Sequence, residues 1–190
     1  MEFPTNLSMQ RLLVFSLILN INLVYAGEVK KAVVQNEKGL YTLDIDVIVD
    51  AEQSAVWKII TDYDHMDRLN DMVTESGIIR NDNETITVRT INKTCILLYC
   101  INARLVQNFQ EINHTIINTS VDATQSDFNF GEAQWRISPV PNNRTRIQYH
   151  CKKKPSFWIP PVIGPIIMKK KMLSTIKTTM DSIEMLAMHG

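Results

Sequence analysis

Acidic side chains crowd one short stretch, where Asp62, Asp64, Asp67 and Asp71 surround His65. Carboxylates and an imidazole so closely spaced are the raw material of a divalent-cation site. A calcium loop begun at Asp62 would need glycine at its sixth position and glutamate at its twelfth, where the chain has Asp67 and Val73. Acids at the start of short helices are ordinary dipole chemistry, so no metal is assigned. The remaining histidines, His114, His150 and His189, are scattered, and no G-x-S-x-G is present. No nucleophile–base pair can be picked out, and no catalytic residue is named.

Cys95 and Cys100 flank Ile96-Leu97-Leu98-Tyr99, and Cys151 stands apart. On one extended strand the first two would lie roughly 16 Å apart, beyond the ~7 Å reach of a bridge, whereas a hairpin between them would bring them face to face. The intervening run lacks the usual turn formers, so two reduced, buried thiols are the competing reading. An exported chain favours the Cys95–Cys100 disulfide, which is the expectation adopted. Arg89, Arg104 and Arg136 fall within strand-like runs, where an inward-facing charge would hold a polar head group. Register decides that, and the pattern does not fix it.

Two lysine triplets, Lys152–Lys154 and Lys169–Lys171, bracket Phe157-Trp158-Ile159-Pro160-Pro161. In one reading the lysines solvate a sheet edge and a helix while the aromatics enter the core. In the other the loop is an interfacial anchor, with aromatics at headgroup depth and lysines against anionic lipid. The second reading makes Leu97, Leu98, Phe157 and Trp158 membrane contacts.

The elements that position these groups can be read from periodicity. Gly164-Pro165 opens a long amphipathic helix, with Gly164 as its N-cap and Ile166, Leu173, Ile176, Met180, Ile183 and Ala187 on one face. Continued to Ala187 it would be roughly 34 Å long, enough to cross a small domain. Tyr41, Leu43, Ile45, Val47 and Val49 alternate on a half-buried strand. A short helix follows, with Asp50 as N-cap and Val56, Trp57, Ile59 and Ile60 as its apolar side, and a second turn or helix spans 64–70. Further strands are expected at 72–80, 84–93, 99–111, 114–122, 127–138 and 143–151, separated by Asn-, Ser- and Pro-rich turns. The meander's apolar face needs a cover, and the closing helix is the element long enough to supply it. In such a meander the strands ending near 93, 122 and 151 finish together with the first strand, which makes the 96–99 and 157–158 loops neighbours.

Val49-Asp50-Ala51-Glu52-Gln53-Ser54-Ala55-Val56-Trp57-Lys58-Ile59-Ile60-Thr61-Asp62-Tyr63-Asp64 and Phe157-Trp158-Ile159-Pro160-Pro161-Val162-Ile163-Gly164-Pro165 resemble the START-like, or helix-grip (SRPBCC), superfamily. The closest likeness is to its secreted polyketide cyclase/dehydrase and lipid-transport branch, and the order of elements matches over 41–187. The resemblance implies an α+β fold in which a curved seven-stranded antiparallel sheet grips the last helix, with two short helices after the first strand and a ligand cavity between sheet and helix. It speaks for fold more than for function. Phe109, Phe128, Phe130, Trp135, Ile176 and Met180 are the bulky residues expected to line that cavity, and Arg104 is the candidate for a polar head.

The chain has 190 residues and no net charge. Leu12 to Val24 is an apolar run after Arg11 and before Tyr25-Ala26, which reads as a signal peptide over 1–26 and leaves one domain at 27–190. The chain is therefore expected to be exported, to the periplasm if bacterial and otherwise secreted. Neutral balance argues against nucleic acid. The sequons at Asn83, Asn92, Asn113, Asn118 and Asn143 would matter only in a eukaryote. The expectation is a monomeric binding or transfer protein for a hydrophobic small molecule, such as a lipid, isoprenoid quinone or polyketide-like compound, without a cofactor and with peripheral membrane contact. The alternatives are a cyclase- or dehydratase-type enzyme in the same cavity, with a group such as His150 in play, and a structural module with a filled core.

Overall fold

The computed structural model describes residues 27–96, 99–160 and 163–189. The expected signal peptide at 1–26 and the membrane-contact candidates Leu97 and Leu98 lie outside the described residues. Eight strands are present: β1 (Glu28–Glu37), β2 (Leu40–Val49), β3 (Val73–Asp82), β4 (Thr85–Ile96), β5 (Tyr99–Ile112), β6 (Ile116–Val121), β7 (Phe128–Val140) and β8 (Arg144–Pro155). Between β2 and β3 come the helix α1 (Gln53–Ile60) and a 3₁₀ helix (Tyr63–Arg68), and the chain closes with α2 (Gly164–His189).

All eight strands form one sheet in the order β1-β2-β8-β7-β6-β5-β4-β3, and every neighbouring pair is antiparallel. The expected seven strands become eight because β1 was not legible. Only Val34 of its ten residues is buried, so this edge strand lacks the alternation that marks a half-covered one. The turn into β2 has Lys38 at φ 48° and Gly39 at φ 85°, the paired positive φ values that suit a tight hairpin.

The other runs fold where alternation placed them. Inward positions such as Val47, Val49, Val88, Ile117 and Ile147 are at most 3 % exposed. Beneath them α1 contributes Val56, Trp57 and Ile60, and the Trp57 ring meets His114 edge-on with centroids 5.4 Å apart. The N-cap of α1 is Glu52 rather than Asp50, and no side chain caps it. Asp50 instead donates its backbone N–H to the Glu184 carboxylate, 2.7 Å away, which ties the end of β2 to the end of α2.

The ladder β2–β8 pairs Tyr41 with Lys153 and Val49 with Thr145. The ends of β4, β6 and β8 therefore lie at one end of the sheet, where β2 begins rather than finishes, contrary to the sequence expectation. We call this the tip end; the opposite end, where β2 meets α1, is the floor. Cys95 and Cys100 face each other across β4–β5, with the ladder continuing to Ile96 and Tyr99, and they are joined by a disulfide. Cys151 is buried and free.

The two halves of α2 are packed differently. Toward the floor, Ile176, Met180, Ile183 and Glu184 are buried. In the first three turns only Gly164 is buried, and Ile166 is 64 % exposed. This corrects the expectation of one continuous buried stripe from Ile166 to Ala187. A side-chain carbon on Gly164 would stand 2.2 Å from Ile159, so the start of the helix rests on Ile159.

Candidate ligand-binding site

The backbone of α2 comes close to α1, β1 and β2 and much less to β4–β7. A cavity of about 300 Å³ opens in that space, at the small end of the range for ligand pockets. Its sheet wall is built from alternate residues of the inner face, and its helix wall from Met168, Met172, Ile176, Met180 and Ile183 at steps of three and four. The segment from Met66 to Val73 forms a third side. There Asn70 accepts the backbone N–H of Met72 at 2.9 Å, and Thr175 of α2 donates its hydroxyl to the Met72 sulfur at 3.4 Å.

Of the residues expected to line the cavity, Phe109, Trp135, Ile176 and Met180 do so. Phe128, Phe130 and Arg104 do not. Phe130 lies five residues from Trp135 in an unbroken β7–β8 register, so the pleat turns it to the outer face, where it is 42 % exposed. A bulge between Phe128 and Phe130 takes Phe128 out of that register. Phe128 meets Phe157 edge-on at 5.8 Å instead. Arg104 lies between the buried Ala103 and Leu105 on β5, so the pleat turns it to the outer face. Arg89 and Arg136 are exposed as well. His150 is also on the outer face, with Nδ1 2.7 Å from Asp44 Oδ1, and that hydrogen bond holds the Asp44 carboxyl below its usual range.

The acidic cluster around His65 serves the fold. Asp62 pairs with His65 at 2.7 Å and with Arg68 at 3.3 Å, and Asp64 accepts the N–H of Ile78 at 2.8 Å. Among the described residues no group of three or more His, Cys, Asp or Glu is placed to hold a metal ion. The aromatic loop divides: Phe157 packs on Phe128, while Trp158 is 76 % exposed.

Polar groups interrupt the apolar wall in a narrow band. Asn92 donates to Thr90 at 2.9 Å on β4, and Gln107 on β5 donates to Thr119 on β6 at 3.4 Å. Tyr149 stacks at a tilt on Trp135, with centroids 4.4 Å apart. Burial, with the Cys151 thiol beside it, pushes its phenol well above the ordinary value, so it remains a neutral hydrogen-bond donor. Lys153 and Lys171 complete the lining. Sequence reasoning passed over Gln107, Tyr149, Lys153 and Lys171. The signal for Lys171 was its spacing, one helical step from Met168 and from Thr175.

At the floor, the buried Glu184 is held above the usual carboxylate range by burial, opposed by the N–H groups of Asp50 and Gly27 and reinforced by the charges of Asp50 and Asp181. Gly27 has φ 47°, and a side-chain carbon there would come 2.6 Å from Met180 Cε. This end of the helix is closed tightly.

Comparison with known proteins agrees with this geometry. The chain superposes on a START superfamily protein from Mycobacterium smegmatis with a TM-score of 0.61 at 18 % identity, covering 78 % of this chain and 97 % of that one. A STAR-related lipid transfer protein from Xanthomonas axonopodis gives 0.58 at 12 % identity, over 83 % and 98 % of the two chains. An aromatase/cyclase from a Streptomyces species gives 0.55 at 10 %, over 79 % and 92 %. Likeness at such identities shows the fold alone. No curated protein sequence matches the chain. The profile described as "Polyketide cyclase / dehydrase and lipid transport" matches residues 42–185, well over half of the sequence. The α+β sheet-and-helix fold, the cavity between its layers and this match together place the chain in the polyketide cyclase/dehydrase and lipid transport family of START-like proteins.

Proposed function

We propose that the protein binds one hydrophobic small molecule of the lipid, isoprenoid quinone or polyketide-like kind in this cavity and carries it between membrane surfaces after export. The observation that carries the proposal is the pairing of a mainly apolar cavity with a helix that is packed at only one end. A filled structural module would leave no such space. The family description and the printed name of the Xanthomonas neighbour support carriage. Among the described residues the lining holds no histidine and no carboxylate. Proton transfer in an enzyme built on this cavity would therefore fall to Tyr149, Cys151, Lys153 or Lys171.

The loop after β8 is the proposed membrane contact. Trp158, Ile163 and Ile166 are 76 %, 42 % and 64 % exposed, and Lys154, Lys169 and Lys170 are exposed beside them. Apolar groups flanked by lysines suit an anionic bilayer surface.

A transfer assay tests both parts. The protein is expected to move a fluorescent fatty acid from anionic donor vesicles to acceptor vesicles, and Trp158→Ala should slow transfer about tenfold or more. Binding of the same probe in solution should stay unchanged, and stability should stay within about 0.5 kcal/mol, as for an exposed position. Transfer at an unchanged rate by Trp158→Ala would reject the membrane contact, and no transfer or binding by the unaltered protein would reject carriage.

A further inference from the structure

The cavity is graded along its length. Toward the floor its wall is Val47, Ile60, Phe109, Ile117 and Ile183, which the ladders place where β2 ends and α1 begins. Toward the tip the wall carries Asn92, late on β4, Lys153, late on β8 opposite Tyr41, and Lys171, two turns into α2. By its 1.5 Å rise per residue the helix has advanced roughly 10 Å from Gly164 when it reaches Lys171. Both ammonium groups thus belong to the tip half of the cavity.

The charges of this lining are one-sided. Among the described residues Lys153 and Lys171 are its only charged members, and neither makes an ion pair. The contrast with the neighbouring residue is direct: Lys152, on the outer face, reaches Glu132 at 3.4 Å. The cross-strand neighbours of Lys153 are Tyr41 and Gly131, neither of them acidic. Lys171 stands on the same helical stripe as Met168, Met172 and Thr175, none of which is charged. The ammonium of a half-buried lysine that lacks a counter-ion is stabilised by an anion brought to it, and the gain is largest where water is partly excluded.

Resting on the cavity reading above, we infer that the ligand is an anionic amphiphile, with its tail against Phe109, Ile117 and Ile183 and a carboxylate or phosphate monoester between Lys153 and Lys171. Asn92, at the same level, is an added donor to the head. The long stems of the two lysines cover the entrance of the tail's channel, while their charges fix which way round the molecule enters. A neutral lipid of the same length would fill the tail site and leave both ammonium groups unmatched.

The test is displacement of a neutral fluorescent alkyl probe from the full protein by hexadecanol, hexadecanoate and hexadecyl phosphate, each below its micelle concentration, at pH 7.5. The anions are expected to bind about tenfold or more tighter than the alcohol, a gap that narrows at high salt. The ranking of the two anions distinguishes a carboxylate ligand from a phosphate one. Lys153→Met with Lys171→Met keeps both stems, and should cut the gap to about twofold while leaving hexadecanol binding unchanged. Equal binding of alcohol and anions by the unaltered protein would overturn the inference and leave the cavity reading standing. So would a preference that survives the double substitution. Displacement by none of the three, with no probe binding, would overturn both.

Discussion

Ile176→Trp is expected to abolish uptake of a fluorescent fatty acid, with at least about a hundredfold loss of affinity and a melting temperature unchanged or raised. Ile176 stands mid-helix on the cavity wall, so an indole there grows into space. Filling a void adds dispersion contacts, whereas the same enlargement in a closed core forces neighbours apart and costs about 1–3 kcal/mol. Met180 is a poorer position for this change although it also lines the cavity, because its Cε lies so near Gly27 that a side-chain carbon there would stand 2.6 Å from it. Isothermal titration and thermal melting of the same sample check the prediction. A destabilised protein that still binds would show that Ile176 is packed and that the ligand lies elsewhere.

Ile183→Ala should be the costly change on the same helix. Ile183 is 1 % exposed and sits beside the Glu184–Asp50 hydrogen bond that holds α2 to the end of β2. Removing a fully buried aliphatic side chain costs about 2–5 kcal/mol, depending on how far the site collapses, and for a domain of this size that lowers the melting temperature by roughly 5–20 °C. Met172→Ala, about three turns earlier on the same face and half-buried against the cavity, should cost about 1 kcal/mol or less, because part of its surface faces space rather than atoms. Urea unfolding of the two variants gives both values. Similar costs at the two positions would mean that α2 is packed evenly and that the cavity is filled.

Much of the fold was legible because its signals are local. The period of two places the strands from β2 to β8 to within a few residues, and the Gly-Pro pair marks the start of α2. The edge strand β1 was lost because a strand exposed on both faces has no alternation to show. The site was less legible, since it depends on register. Arg104 and Leu105 differ by one residue and point to opposite faces, which no composition rule resolves. Phe130 is instructive, because it lies five residues from Trp135 on one unbroken strand and so could not share its face. Gly131 lies within the strand, and a side-chain carbon there would stand 2.3 Å from Val121. A strand glycine marks a bulge or a close approach, and here it marks the close approach of Val121. Lys153 and Lys171 were read as members of solvated triplets, when each triplet in fact turns one residue inward.

One amphiphilic molecule is proposed to occupy the space between the sheet and α2. Native mass spectrometry of the protein, stripped of lipid and then mixed with one equivalent of hexadecanoate, tests it most directly. A single adduct of that mass, at a stoichiometry of one and missing from Ile176→Trp, is the predicted result. A spectrum showing only the bare chain, or equal adducts on both proteins, would contradict the claim.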